Sequence, residues 1–224
     1  MALSRTVTIP YRHIFAIGDI HGQVRRLREL LNEIPCDLSQ DLLVFLGDYI
    51  DRGPGSRYVV EMVLELQRQS DRVICLRGNH EQMFLDFLNG ADPLIFLFNG
   101  GRATLESYGY EEDEEGQYEV FVPFSHIDFF ESLPCMVETD QYIFVHAGIR
   151  PGVPLSEQTE EDLLWIRHEF IFAPSGLEKK VIFGHTPFYE PLVMEDKIGI
   201  DTGAGYGRKL TCIQLPEEIF YWVR

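Results

Sequence analysis

Positive charge is scarce in this sequence: 19 lysines and arginines stand against 36 aspartates and glutamates over 224 residues, for a net charge of −17. A surface of that sign repels phosphate backbones and anionic lipid, which disfavours a general nucleic-acid binder and a membrane-surface protein. A small anionic substrate stays compatible, because a local site can oppose the global field. Cysteine is sparse as well. Cys36, Cys75, Cys135 and Cys212 lie far apart and form no Cys-x-x-Cys pair, which favours packed, reduced thiols over disulfides. No apolar run approaches membrane-spanning length, and Met1 to Arg12 lacks the apolar stretch of a signal peptide, so a soluble, cytoplasmic protein is expected. Internal repeats and low-complexity linkers are missing too. With 45% apolar residues, one domain spanning 1–224 is the expectation.

What is present centres on Leu46-Gly47-Asp48-Tyr49-Ile50-Asp51-Arg52-Gly53, two carboxylates and a guanidinium directly after the apolar run Leu42 to Leu46. The chain around it alternates apolar runs with helical periodicity. His13 to Gly18 reads as a strand ending in Asp19-Ile20-His21. A helix follows with Val24, Leu27, Leu30, Leu31 and Ile34 on one face, stopped by Pro35. Leu42 to Gly47 is the next strand, followed by a helix burying Val59, Val60, Val63, Leu64 and Leu66. Arg72 to Leu76 is a third strand before Asn79-His80 and a helix with Met83, Phe84, Phe87 and Leu88 inward. This βαβαβα order predicts a parallel sheet with its sites at the strands' C-terminal ends, where all three polar clusters fall.

Further on, Pro93 to Phe98 reads as a short helix broken by Asn99-Gly100-Gly101, and Glu111 to Glu115 as a solvated acidic loop. Cys135 to Glu138 and Tyr142 to Val145 read as a hairpin ending in His146. Thr159-x-x-Asp162 has the form of a capping box opening a helix that carries Arg167. Val181 to Gly184 leads as a strand into His185. Ile198 to Asp201, Leu210 to Leu215 and Ile219 to Val223 read as antiparallel strands. An early parallel half and a late antiparallel half predict an α/β fold of two packed mixed sheets flanked by helices.

Five polar clusters thus stand at strand ends: Asp19-x-His21, Asp48, Asn79-His80, His146 and His185. Singly, each has a structural explanation: a turn, an N-cap, a hydrogen-bonded histidine. Together they form an oxygen and nitrogen donor set suited to Mn, Fe or Zn. Six donors exceed one zinc site with an open position and fit two metals ~3.5–4 Å apart that share a carboxylate and a water. His13, His126 and His168 lie outside these clusters and are read as structural, with His126 capping the apolar run that follows it.

Gly18-Asp-Ile-His-Gly22, Gly47-Asp-Tyr-Ile-Asp-Arg-Gly53, Leu76-Arg-Gly-Asn-His-Glu81, His146-Ala-Gly148 and Gly184-His-Thr186 resemble the phosphoprotein phosphatase (PPP) family of calcineurin-like metallophosphoesterases. Asn99-Gly-Gly101, Leu163-Leu-Trp-Ile-Arg167 and Asp201-Thr-Gly203 add a similarity to its short bacterial and phage members, and the match runs from residue 13 to about residue 215. The resemblance implies an αββα sandwich and two divalent cations, manganese first and Fe or Zn next. It implies Asp19 and His21 on one metal, Asn79, His146 and His185 on the other, and Asp48 bridging. Arg52 and Arg167 would grip phosphate oxygens with help from Asn79, and His80, oriented by Asp51, would protonate the leaving oxygen after in-line attack by a bridging hydroxide. The implied substrate is a phosphorylated protein, peptide or small phosphoester, in the manner of serine/threonine or dual-specificity protein phosphatases.

Two other readings stand beside it. Symmetrical bis(5'-nucleosyl)-tetraphosphate hydrolysis is carried by relatives with nearly the same metal motifs, which typically depart from the pattern at the place of Asp51-Arg52-Gly53. A non-catalytic phosphate-binding module is disfavoured because every ligand and the acid are present. Pro187, where nucleases and phosphodiesterases of the superfamily carry a second histidine, favours the phosphatase. The Ser-Ala-Pro-Asn-Tyr-Cys loop of eukaryotic members is absent, and Ile200 to Tyr206 stands in its place.

Overall fold

Strand and helix alternate through the first half of the chain. The computed structural model describes residues 3–114 and 116–224. It opens with β1 (Ser4–Thr6), β2 (Ile14–Ile17), α1 (Val24–Glu33), β3 (Leu42–Phe45), α2 (Ser56–Gln69), β4 (Val73–Cys75) and α3 (Asn79–Leu88). The middle holds α4 (Pro93–Phe96), α5 (Arg102–Tyr108), the hairpin β5 (Tyr110–Glu112) and β6 (Tyr118–Val120), and α6 (Phe124–Ser132). Then come β7 (Met136–Glu138), β8 (Tyr142–Val145), α7 (Glu160–Trp165), α8 (His168–Ile171), β9 (Lys180–Phe183), β10 (Leu192–Val193), β11 (Lys197–Gly199), β12 (Leu210–Leu215) and β13 (Ile219–Val223).

One sheet has the order β13-β12-β2-β3-β4 and the other β1-β7-β8-β9-β11-β10. Side chains alternate across each strand, so every apolar run supplies two cores. Ile14, Ala16, Leu42 and Val44 meet Phe144, Ile182 and Ile198 between the sheets. Phe15, Ile17, Leu43 and Phe45 face outward beneath α1, α2, α3, α5 and α6. On the far side Val145, Val181 and Phe183 pack under Leu163 and Leu164 of α7 and Phe170 of α8. The expected helix–sheet–sheet–helix layering is present.

The division of the chain between sheets differs from the expectation. β2, β3 and β4 are parallel, but β12 and β13 return from the C-terminus and add antiparallel strands beside β2. The late half is not uniformly antiparallel, since β9 pairs parallel with both β8 and β11. The hairpin β7–β8 forms as read.

Locally, Glu111 and Glu112 lie in β5 and pair with Glu119 and Tyr118. The acidic run therefore starts inside a hairpin strand, and Glu115 lies outside the described residues. The Thr159–Asp162 capping box forms, but its helix ends at Trp165 and Arg167 is the N-cap that precedes α8. The break at Asn99–Gly101 is a kink at Gly100 (φ 100°), after which α5 continues. His126 sits inside α6, where its Nδ1 meets the Tyr108 hydroxyl at 2.8 Å, so it does not cap that segment. All four cysteines are free, and burial pushes Cys36 up to about 12. Among the described residues no helix is long and apolar enough to cross a membrane.

Candidate metal and phosphate site

Each cluster predicted at a strand end lies directly after its strand. Asp19 and His21 follow β2, Asp48 follows β3, Asn79 and His80 open α3 after β4, His146 follows β8 and His185 follows β9. The turns that aim these side chains are conformationally costly. Six non-glycine residues have positive φ among the described residues: His21 (46°), Asp48 (52°), Asp51 (71°), Arg52 (65°), His185 (61°) and Glu218 (55°). Five belong to the predicted site. Strain held at one locus by surrounding packing is what a preorganised site requires. Glycines let the carboxylates approach closely: a Cβ at Gly78 would collide with Asp48 Oδ1, and one at Gly184 with Asp19 Oδ1.

Asp48 is the centre. His21, Asp48 and His80 bring ligand atoms within 4.8 Å of one another, and so do Asp48, His146 and His185. Asp48 Oδ2 lies 3.4 Å from His21 Nε2, and Oδ1 lies 3.4 Å from His146 Nε2. Two carbonyl oxygens fix the imidazoles: Ile50 O accepts from His21 Nδ1 at 2.9 Å and Leu46 O from His146 Nδ1 at 2.8 Å. That tautomer leaves each Nε2 lone pair facing the carboxylate. Asn79 Oδ1 stands 2.9 Å from both His146 Nε2 and His185 Nδ1. Asp19 stands beside these triads, accepting the His185 N–H at 3.0 Å.

Electrostatics point the same way. Burial, followed by the repulsion of Asp201 and of Asp48, drives the Asp19 carboxyl well above its usual range. Burial and then Glu81 do the same to Asp48. Burial holds His21 and His185 well below their usual value and takes His146 to about 3. Converging acceptors without enough cationic charge form a set that divalent metal ions fit.

A second layer joins His80 and Asp51 to two arginines. His80 Nδ1 is 2.6 Å from Asp51 Oδ2, while the Thr104 hydroxyl donates to Asp51 Oδ1 at 2.6 Å. The Asp51 N–H is held by Thr104 Oγ1 at 2.9 Å and Ser56 Oγ at 3.1 Å. Burial pushes the Asp51 carboxyl up to about 8 and, followed by Arg52 and Arg167, presses His80 well below its usual value. Arg52 directs Nη2 to His80 Nε2 at 3.1 Å and Nη1 to His21 Nε2 at 2.5 Å. Arg167 is anchored on His185 O at 3.0 Å, which brings its guanidinium to the end of β9.

Some residues that shape the site were not singled out by sequence reasoning. Glu81 accepts the N–H groups of Asp48 and Tyr49 at 2.8 Å and of Gly78 at 2.9 Å, tying together the loops after β3 and β4. Thr104 and Ser56 hold Asp51. The buried Asp201 faces Asp19 and accepts the Gly203 N–H at 2.8 Å.

The sequence profile of the calcineurin-like phosphoesterases matches residues 12–212. The chain belongs to the calcineurin-like phosphoesterase family. It is 32% identical over 214 residues to serine/threonine-protein phosphatase 1 of Salmonella typhimurium, covering 92% of this chain and 93% of that protein. It is 26% identical over 226 residues to the asymmetrical bis(5'-nucleosyl)-tetraphosphatase PrpE of Bacillus cereus, covering 90% and 89%. Among solved structures, a putative diadenosine tetraphosphatase superposes with a TM-score of 0.77 at 21% identity, covering 100% of this chain and 98% of that one. In this calcineurin-like phosphoesterase, the buried His and Asp triads around Asp48 are groups that could hold metal ions.

Proposed function

We propose that this calcineurin-like phosphoesterase is a metal-dependent phosphomonoester hydrolase of the serine/threonine protein phosphatase type, formed as one domain over residues 1–224. The observation that carries the reading is Asp48, on which His21 and His80 converge from one side and His146 and His185 from the other, with His80 also hydrogen-bonded to Asp51 and approached by Arg52. In this reading Asp19, His21 and Asp48 would hold one cation, and Asp48, Asn79, His146 and His185 the other, with manganese the first choice. When bound, the two ions would supply Lewis acidity and an activated water near neutral pH.

The chain's own residues do the rest. Arg52 and Arg167 present planar forks to the phosphoryl oxygens, where charge concentrates in the transition state. His80 gives a proton from Nε2 to the leaving oxygen, and Asp51 fixes its ring through Nδ1. Burial disfavours charge on both partners, so the pair is favoured as a protonated Asp51 carboxyl and a neutral imidazole. One proton lies along the Nδ1···Oδ2 line and the other sits on Nε2, from which the leaving oxygen takes it.

The similarity to a bacterial serine/threonine phosphatase across nearly the full length of both chains supports this substrate class. The similarity to tetraphosphatases supports a second reading, dinucleoside-polyphosphate hydrolysis. Assays with manganese, comparing phosphoserine, phosphothreonine and phosphotyrosine peptides with diadenosine tetraphosphate, separate them. Higher kcat/KM on the phosphopeptides is expected; turnover confined to the tetraphosphate would transfer the function to the second reading.

A further inference from the structure

Beyond Arg52 the site continues along a line of aromatic and guanidinium groups that the proposed chemistry does not use. Arg52 lies 4.6 Å from the ring centroid of Tyr206, and Arg208 lies 6.0 Å from the same centroid and 4.7 Å from that of Tyr189. Tyr206 is 58% exposed and Tyr189 82% exposed, so the line opens to solvent. The turn is shaped for Arg208. Gly203 (φ 82°) and Gly207 (φ 79°) bracket it, and a Cβ at Gly203 would collide with the Arg208 side chain. Neighbouring Lys209 is neutralised by Glu190 at 2.6 Å, whereas Arg208 makes no ion pair among the described residues. On a chain of −17 this is an uncommitted, half-buried cation beside a phosphate-facing one.

We propose that Arg208, flanked by Tyr189 and Tyr206, forms a subsite for a second phosphoryl group carried on the leaving-group side of the substrate. The inference rests on the reading of the Asp48 centre as the hydrolytic site. Arg52 and Arg208 share one ring, so a substrate whose scissile phosphate meets Arg52 directs the next anionic group along Tyr206 toward Arg208. The fork suits a phosphate, which accepts two parallel N–H bonds, and the two rings limit the conformations from which it is offered. Such a group could belong to a polyphosphate chain or to a second phosphorylated residue of a peptide.

The test compares wild type with Arg208→Ala on three manganese-supported substrates: an aryl monophosphate, diadenosine tetraphosphate and a doubly phosphorylated peptide. The variant is expected to keep kcat/KM on the monophosphate within about twofold and to lose about tenfold on a substrate with a second phosphate, the scale of one charge-assisted hydrogen bond. Which of the two shows the loss identifies the source of that phosphate. Equal losses on all three, or none on any, overturn the subsite. A wild-type protein inert on all three refutes instead the hydrolytic reading beneath it.

Discussion

His80 Nδ1 and Asp51 Oδ2 stand 2.6 Å apart, joining the loop after β3 to the first turn of α3. This contact leaves Nε2 to face Arg52. If His80 is the proton donor, His80→Asn should lower kcat by about 10²-fold on alkyl phosphates, the lower end of general acid catalysis. Activated aryl phosphates, which leave without a proton, should be much less affected. Steady-state kinetics across leaving-group pKa checks this, and equal losses on both would remove His80 from the role.

The Thr104 hydroxyl donates to the other oxygen of Asp51 and also accepts the Asp51 N–H. Thr104→Val keeps the shape and removes both of these bonds, together with the contact to Ser56 Oγ at 3.0 Å, in a fully buried place. A stability loss of about 1–3 kcal/mol is expected from the denaturant midpoint. Turnover of poor leaving groups should slow while metal content stays intact. Loss of metal would show that Thr104 supports the whole centre and not the acid pair.

The reach of sequence reasoning can be judged from these residues. Asp19, His21, Asp48, His80, His146 and His185 were legible because each ends an apolar run, and parallel strands gather their C-terminal ends on one edge. Thr104 was not: it reaches Asp51 from α5, 53 positions away, and a lone threonine on a helix carries no periodic mark. Arg167 reads from the sequence as part of the capping-box helix, but it lies beyond that helix as the N-cap of α8. α7 ends at Trp165, Ile166 turns away with ψ 142°, and no glycine or proline marks the stop. β1 escaped notice because Ser4–Thr6 is polar and exposed, and its pairing with β7 is fixed by backbone bonds alone. β12 read correctly as a strand but not as a neighbour of β2, since pairing across such a separation leaves no local pattern.

Arg167 approaches the site from the β9 end, where His185 O and Thr186 Oγ1 hold its Nη1. Arg167→Ala should raise KM for phosphomonoesters and lower kcat, together costing about 10²-fold in kcat/KM for a lost transition-state contact. Arg167→Lys should recover only part, because a point charge does not reproduce the fork. Unchanged kinetics in the alanine variant would place the second phosphate contact elsewhere.

The chelated protein should show an unusual pH dependence of stability. Buried histidines with lowered folded values, His146 at about 3, bind fewer protons than they do unfolded, so their destabilising effect fades as pH rises to 6.5. Above that point the raised carboxyls dominate. Asp51 at about 8 and Glu81 at about 7 retain protons that the unfolded chain has released, so stability falls as pH rises through those values. The melting temperature should therefore decline from about pH 6.5, the histidine reference, toward about pH 8.5, with a shallower decline when manganese supplies the missing positive charge. A chelated protein whose melting temperature is flat over that range would contradict the burial argument.

In the proposed function Asp48 would serve both cations, and hydrolysis would depend on it. Asp48→Asn is nearly isosteric and removes one charge at the point where both triads meet. The deciding measurement is metal per chain by elemental analysis, taken on the same preparations as aryl phosphate turnover. The expected result is joint loss of bound metal and hydrolysis, with the fold retained by circular dichroism. A variant that keeps the full metal content of the wild type and its turnover would contradict the account.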